Sequence, residues 1–341
     1  MIAPAVGTAA AGHVRIPELD GWRATSILLV LGGHLLPLGP HSLGLNNQAG
    51  LMGMSLFFTI SGFLIVRFLA EGMPVATFAA RRLSRILPLS WAAMAAVFAM
   101  SGATLDQLGA NLMFYANLPP SRLMGGGEHL WSLCVEVQFY LMAAVLTLLP
   151  RRRGLYLVPF LCVLVTALRV RDGEPISIVT WHRVDEILAG GTVALIYCGW
   201  FRGSAQAMLR RTPVVLALTA LLLCSHPAAG PMLYLRPYAA ALVIGCSLYE
   251  LPKTAERLLT SRPMAYIAEI SYALYVIHGI LAATWLGSGG TLEKYTKRPL
   301  LFLVAFALAH LSTRYFERPF VRWARKLSPR GGGKMTQVES T

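Results

Sequence analysis

Apolar residues occur in long runs along this chain, and short polar or basic segments separate the runs from about residue 24 to residue 320. A helix needs about 20 predominantly apolar residues to cross about 30 Å of hydrocarbon, because each residue rises about 1.5 Å. The pattern predicts an all-α polytopic membrane protein with about ten transmembrane helices, some of them short or interrupted by polar residues. The ten predicted segments are 24–39, 50–70, 86–103, 129–149, 154–171, 184–199, 213–227, 232–249, 264–286 and 299–320.

Composition supports a membrane protein and excludes an ordinary soluble domain. The 341 residues are 55% hydrophobic and 13% charged, with a mean hydropathy of +0.57, whereas soluble domains carry about 25% charged residues. The formal net charge of +14 could indicate nucleic-acid binding. However, the basic residues lie in short clusters between apolar runs, where membrane proteins carry their topology signal. We therefore expect a lipid bilayer around the chain and no nucleic acid.

The distribution of basic residues predicts the orientation of the chain. With ten spans and a cytoplasmic N-terminus, 22 of the 30 Lys and Arg residues fall on the cytoplasmic side, and shifting the count by one span destroys this partition. Both termini are therefore predicted to be cytoplasmic. The expected divisions are a flexible N-terminal segment (1–15), a transmembrane domain (16–322) and a basic cytoplasmic tail (323–341). No signal peptide is expected, because no basic n-region precedes a cleavable apolar core.

The five cysteines indicate neither a disulfide framework nor a metal site. They are odd in number, widely spaced and located inside apolar runs. Cysteines in such positions are typically small buried side chains. We expect no bound metal ion.

The first predicted span carries two ionisable residues on one helical face. Arg23 and His34 are eleven residues apart, which corresponds to about 1100°, or about 20° past three turns, and to a rise of about 16 Å. Arg23 is thus expected at the cytoplasmic surface and His34 near the bilayer midplane. An ionisable group inside a membrane is costly and indicates a functional site by default. The alternative for His34 is a hydrogen bond between helices without chemistry.

The fourth predicted span carries a glutamate at a depth similar to that of His34. His129, Ser132, Glu136 and Tyr140 follow helical spacing along one side of this span. A histidine and a carboxylate at one depth can act as a general base and its orienting partner for hydroxyl activation. The sequence does not establish that the two helices touch, and a structural ion pair is the alternative for Glu136.

Further candidates lie at both predicted surfaces of the membrane. Arg82 and Arg85 are one turn apart at the start of the third span, and such guanidinium pairs can hold phosphates. The alternative is a purely topological role. Tyr275 and His278 share a face of the ninth span, where they either line a cavity or anchor the helix at the interface.

Six sequence motifs occur in order between residue 16 and residue 320. They are IPELDGWRATSILLVLGGH (16–34), SLFFTISGFLI (55–65), RRLSRILPLSW (81–91), HLWSLCVEVQFYL (129–141), ISYALYVIH (270–278) and FERPF (316–320). Together these phrases resemble the acyltransferase 3 family of integral-membrane O-acyltransferases. The family's ten-helix domain with cytoplasmic termini agrees with the predicted topology.

The resemblance implies transfer of an acyl group, commonly acetyl, from a cytoplasmic acyl-CoA to a sugar hydroxyl of an envelope glycan or secreted glycoside. Acyl-CoA would be a co-substrate, and no permanently bound cofactor is expected. His34 matches the family's essential histidine and Arg23 its partner arginine, while Arg82 and Arg85 match a motif associated with the acyl donor. Glu136 matches the first glutamate of a VEEQFYL phrase whose second glutamate is Val137 here.

The expected mechanism uses His34 as general base, with Glu136 orienting its imidazole and Arg23, Arg82 and Arg85 binding the donor. A path through an acyl-histidine is the competing mechanism. Five further residues are candidates for the acceptor side or the cavity lining. They are Ser61, Trp131, Tyr140, Tyr275 and His278.

The acceptor and the surroundings of the protein are less constrained by the sequence. Because only about twenty residues follow the last span, we expect no appended hydrolase-like domain. Acceptor choice would then come from the membrane domain, its outer loops, a partner protein or a homo-oligomer. The expected location is a bacterial-type inner membrane. The alternative function is a proton-coupled secondary transporter of an anionic solute, since intramembrane His, Glu and Arg also build such pathways.

Overall fold

The computed structural model describes residues 15–201 and 203–327, and within these stretches every regular element is helical. Residues 1–14 of the expected flexible N-terminal segment and most of the expected tail lie outside the described residues. Residues 323–327 continue the last helix. The α-helices of the described part are α1 (Pro17–Leu35), α2 (Leu45–Ala70), α3 (Val75–Ser101), α4 (Leu105–Leu112), α5 (Trp131–Leu146), α6 (Leu157–Asp172), α7 (Asp185–Tyr197), α8 (Ser204–Arg211), α9 (Val214–Ser225), α10 (Arg236–Ser247), α11 (Lys253–Leu259), α12 (Arg262–Ala282), α13 (Thr291–Thr296), α14 (Arg298–Leu311) and α15 (Arg318–Leu327).

Six helical stretches of the described part are long and apolar enough to cross a membrane, and a seventh arises if α8 and α9, bent by 91°, form one span. All ten predicted segments overlap helices of the structure. The count of ten remains a prediction, because helices such as α7, with 13 residues, rise only about 20 Å. The six stretches are Leu45–Ala70, Val75–Ser101, Glu128–Leu146, Arg152–Asp172, Arg262–Ala282 and Arg298–Ala324.

Helix α2 lies at the centre of the helical bundle. Of its most apolar window, 72% is buried inside the protein, whereas the corresponding windows of the other five stretches are between 22% and 50% buried. It packs against α1, α5, α7, α9 and α10. The other helices therefore present more surface to the surroundings, and α2 connects most of the bundle.

The contact between α2 and α7 brings the two backbones together through glycine. A methyl group on Gly62 of α2 would collide with the carbonyl of Ile187, and one on Gly190 of α7 would collide with the carbonyl of Thr59. Small residues at such crossings let helix backbones approach closely. This contact explains the glycine in the SGF phrase, because any larger residue at position 62 would push α7 away.

We predict that Gly62→Ala destabilises the protein by about 1–3 kcal/mol, the usual cost of forcing a methyl group into a packed contact. The measurement is the midpoint of thermal unfolding in detergent. Gly109→Ala is the matched control, because that helical glycine has no neighbour within 4 Å of the added carbon. An unchanged midpoint in Gly62→Ala would contradict the close contact.

Candidate active site

A narrow polar cavity, which we name the arginine cavity, lies among α1, α2, α3, α5 and α12 and has a volume of about 40 Å³. It contains three arginines and one glutamate, a formal charge of +2, and thus favours anionic groups. Six residues singled out in the sequence line it. They are Arg23, Ser61, Arg82, Arg85, Glu136 and Tyr140.

The Glu136 carboxylate is held by two hydroxyl groups. Ser61 Oγ of α2 donates to Glu136 Oε1 at 2.5 Å, and Tyr140 Oη donates to the same oxygen at 2.7 Å. The four-residue spacing within α5 places Glu136 and Tyr140 on one helical face. Glu136 is 5% exposed, so the carboxylate depends on these donors for hydrogen bonds. It joins α2 to α5 at the wall of the arginine cavity.

A second cavity of about 920 Å³, which we name the basic basin, shares Arg23 and Arg85 with the arginine cavity. Its six arginines and three acidic residues give a formal charge of +3. Arg318 forms an ion pair with Glu269, and Arg15 pairs with Asp20 at 2.6 Å. The charged residues of the basic basin are Arg15, Asp20, Arg23, Arg85, Glu269, Arg314, Glu317, Arg318 and Arg322.

His34 lies in a different compartment. A third cavity of about 730 Å³, which we name the histidine basin, is lined by His34, His129, Trp131, Arg183 and Tyr275 together with mainly apolar residues of α2 and of the loops. None of these five residues lines the arginine cavity. The sequence-predicted site is therefore divided between two cavities, with the arginines and Glu136 in one and His34 in the other.

A chain of hydrogen bonds specifies the tautomer of His34. His278 Nδ1 is 2.7 Å from the carbonyl oxygen of Tyr275, and a carbonyl can only accept, so Nδ1 of His278 donates. In the neutral ring, His278 Nε2 is then an acceptor, and it lies 3.0 Å from His34 Nδ1. His34 Nδ1 therefore donates. This leaves Nε2 of neutral His34 unprotonated, as a general base requires.

Tyr275 and His129 complete the wall behind these histidines. Ser132 Oγ donates to Tyr275 Oη at 2.6 Å, and Tyr275 Oη donates to the carbonyl of His129. His129 Nε2 lies 3.0 Å from the carbonyl of Val276, so this nitrogen donates as well. These hydrogen bonds join the start of α5 to α12, the two helices that flank the histidine basin.

The expected pairing of His34 with Glu136 is not formed. His34 bonds to His278, while Glu136 accepts from two other side chains, and no hydrogen bond between described residues joins the two. The physical reason is helix packing, because α1 packs against α2 and α12 while α5 packs against α2. In the structure, the residue that orients the His34 imidazole is His278.

A stacked aromatic pair joins the linings of the arginine cavity and the histidine basin. Phe57 of α2 lines the arginine cavity and Tyr275 of α12 lines the histidine basin. Their rings stack with centroids 5.9 Å apart and an interplanar angle of 10°. The pair thus marks a place where the two cavities come within one ring contact of each other.

The five lining candidates are distributed over both compartments. Trp131 and Tyr275 line the histidine basin, while Ser61 and Tyr140 line the arginine cavity. His278 is 1% exposed and lies behind His34. The interfacial-anchor alternative does not describe Tyr275 or His278, because both are buried and hydrogen-bonded between helices.

Sequence reasoning did not select Phe57, His129 or Arg183 as site residues. His129 begins the HLWSLCVEVQFYL phrase, and its place among residues on one side of α5 was an available signal. Arg183 directly precedes an apolar segment that begins with two acidic residues, and an ionisable cluster at such a position is a general indication of function. Nothing in the pattern distinguishes Phe57 from the other phenylalanines of α2.

Comparison with known proteins identifies the family. Residues 16–313 match the acyltransferase 3 model, which is described as an acyltransferase domain. The chain belongs to the acyltransferase 3 family. The match contains the whole arginine cavity and the whole histidine basin, whereas Arg314, Arg318 and Arg322 of the basic basin follow it. With its apolar helices, this acyltransferase 3 protein is a multi-pass membrane protein.

Two curated bacterial relatives are similar over most of this chain. YrhL of Bacillus subtilis strain 168, provisionally named a peptidoglycan O-acetyltransferase, is 26% identical over 372 residues, covering 90% of this chain and 55% of the relative. OatA of Listeria monocytogenes serovar 1/2a, named a peptidoglycan O-acetyltransferase, is 23% identical over 355 residues, covering 89% and 55%. The chain thus spans about half the length of these relatives. No solved protein structure matches the chain.

We predict that His278→Leu lowers the turnover of acyl transfer by about 10²–10⁴-fold, the usual contribution of a general base, because His34 loses the acceptor for its Nδ1 proton. His278→Gln should restore part of the activity, since an amide can both accept from His34 and donate to the Tyr275 carbonyl. The measurement is kcat in purified protein. His310→Leu is the control, because His310 contacts Tyr266 away from both compartments. Full activity of His278→Leu would contradict the positioning role.

Proposed function

We propose that this protein transfers an acyl group, acetyl in particular, from acyl-CoA to a hydroxyl of a cell-envelope carbohydrate. The observation that carries the proposal is that a positively charged cavity and the basin of a histidine with an unprotonated ring nitrogen each contribute one ring to the same stacked aromatic pair. Family membership supports acyl transfer. The names of YrhL and OatA support an acetyl group and a glycan acceptor.

The donor would bind from the side of the basic basin. Coenzyme A carries a phosphorylated nucleotide that cannot enter hydrocarbon cheaply, and the basic basin offers an excess of arginine and a volume within the usual range of ligand pockets, about 300–1000 Å³. The slender pantetheine arm would continue past Arg23 and Arg85 into the arginine cavity. Because this cavity holds little free volume, we expect donor binding to displace lining side chains.

The acceptor would occupy the histidine basin. His34 Nε2 removes the proton of the acceptor hydroxyl as its oxygen attacks the thioester carbonyl. The tetrahedral intermediate then expels the coenzyme A thiolate, which takes up the proton from the His34 imidazolium. The products are an ester of the carbohydrate and free coenzyme A. His278 orients the base throughout, and Glu136 keeps Ser61 and Tyr140 in place at the wall of the arginine cavity.

The proposed substrates indicate which side of the membrane each cavity faces. Acyl-CoA is cytoplasmic and the arginine-rich ends of the helices match the positive-inside rule, so the basic basin would face the cytoplasm. The histidine basin would face the opposite side, where envelope glycans lie. We therefore propose a bacterial inner-membrane location.

The direct test is release of free coenzyme A from labelled acetyl-CoA by the protein in nanodiscs, with transfer of label to an added peptidoglycan oligosaccharide. We expect Arg85→Gln to raise KM for acetyl-CoA about 10- to 100-fold, the equivalent of one charge-assisted hydrogen bond of about 1.5–3 kcal/mol, because Arg85 lines both the basic basin and the arginine cavity. Arg257→Gln, on the exposed face of α11, is the control. An unchanged KM would refute the donor site, and a protein that moves solutes without cleaving thioester would be a transporter.

We further predict that Phe57 limits the length of the acyl group. Phe57→Ala removes one ring of the aromatic pair, so hexanoyl-CoA should gain at least about 10-fold in kcat/KM relative to acetyl-CoA, the factor that about 1.4 kcal/mol provides. Phe98→Ala is a matched truncation on α3 outside the three cavities. An unaltered preference in Phe57→Ala would show that the acyl group does not pass between the rings.

A further inference from the structure

A cluster of buried charged residues lies behind one wall of the histidine basin and reaches that wall through Arg183. It connects the end of α6, the start of α7 and the start of α10. Its Arg169 Nη1 lies 2.5 Å from Asp185 Oδ2, and Arg236 Nε lies 2.9 Å from Glu186 Oε1. The five members are all 2% exposed or less. They are Arg169, Arg183, Asp185, Glu186 and Arg236.

The cluster contains one more positive than negative charge. Three arginines face two carboxylates, so the formal charge is +1. Glu186 is shared by Arg236, Ser55 and Arg183, and Arg183 Nη2 approaches Glu186 Oε2 only to 3.3 Å without hydrogen-bond geometry. Asp172 of α6 is already paired with Arg171 and His182. A surplus buried charge is costly even where each arginine has a carboxylate nearby, so an anion in contact with Arg183 at this wall would be stabilising.

Arg183 is the member of the cluster that lines the histidine basin. Its Nε is buried and has no hydrogen-bond partner. Its guanidinium lies over the ring of Trp131 at 5.3 Å and over the ring of Phe58 at 5.8 Å. Trp131 also lines the basin. A flat aromatic ring next to a guanidinium can hold a sugar ring by stacking and a carboxylate by charge-assisted hydrogen bonds.

We propose that the histidine basin binds a sugar bearing a carboxylate, with Arg183 contacting the carboxylate and Trp131 contacting the sugar ring. The proposal rests on the proposed function, because the acceptor hydroxyl must reach His34 in the same basin. It narrows the acceptor from carbohydrates in general to acidic ones.

The charge balance favours a monoanion over a phosphate. The cluster behind the wall has a surplus of one positive charge, and Glu128 on the rim of the same basin would repel a second negative charge on the group bound at Arg183. The basic basin, with its surplus of +3, is the compartment suited to phosphates. A carboxylate with one negative charge thus matches the Arg183 wall.

The test is calorimetric binding to the protein in nanodiscs without acyl donor. Two tetrasaccharides are compared: the neutral N-acetylglucosamine tetramer, and an alternating tetramer of N-acetylglucosamine and N-acetylmuramic acid, which adds lactyl carboxylates. We expect the wild type to bind the acidic tetramer at least about 10-fold more tightly, and less so at high salt. Arg183→Gln should bind both alike, while Arg183→Lys, which keeps the charge, should retain part of the preference.

Arg122→Gln is the matched control, because Arg122 pairs with Asp106 at the surface and lines none of the three cavities. It should keep the wild-type preference. Equal binding of the two tetramers by the wild type, no binding of the acidic one, or an intact preference in folded Arg183→Gln would each overturn the proposal. Thioester cleavage by the same preparations reports on the proposed function separately, so either idea can fail alone.

Discussion

The close contact of α2 with α7 constrains both compartments of the candidate site. With the backbone of α2 held against α7 at Gly62, the rotation of α2 about its axis is determined, and so is the direction of every side chain on it. Phe57 and Ser61, one turn apart, face the arginine cavity, whereas Gly50 and Met54 face the histidine basin. A small rotation or shift of this helix would alter both cavities together.

The two compartments of the candidate site differ in the charge and the type of the side chains that line them. The basic basin and the arginine cavity concentrate guanidinium groups, which suits phosphates and excludes further cations. The histidine basin holds two histidines, the rings of Trp131 and Tyr275, and one arginine, which suits an uncharged hydroxyl next to one anionic group. The stacked Phe57 and Tyr275 rings connect the linings of these two environments. In the proposed reaction, the thioester and the hydroxyl would meet near these rings.

Much of the site could be predicted because helical periodicity is local. The positions of Arg23, His34, Arg82, Arg85 and Glu136 on helices follow from spacing alone, and the structure places the arginines and Glu136 around one cavity. The number of membrane crossings was less predictable. An apolar run can be a full span or a short helix buried among others, and α7 shows that composition does not distinguish the two.

The sequence by itself determined a helical membrane protein, the family and the faces on which its ionisable residues lie, because these depend on hydrophobicity and on contacts within a turn or two of helix. Tertiary structure alone decided which helices meet. His34 pairs with His278, 244 residues away, rather than with Glu136, because α12 packs beside α1. Arg183 likewise joins the histidine basin through contacts distant in the chain, and no local pattern encodes such a contact.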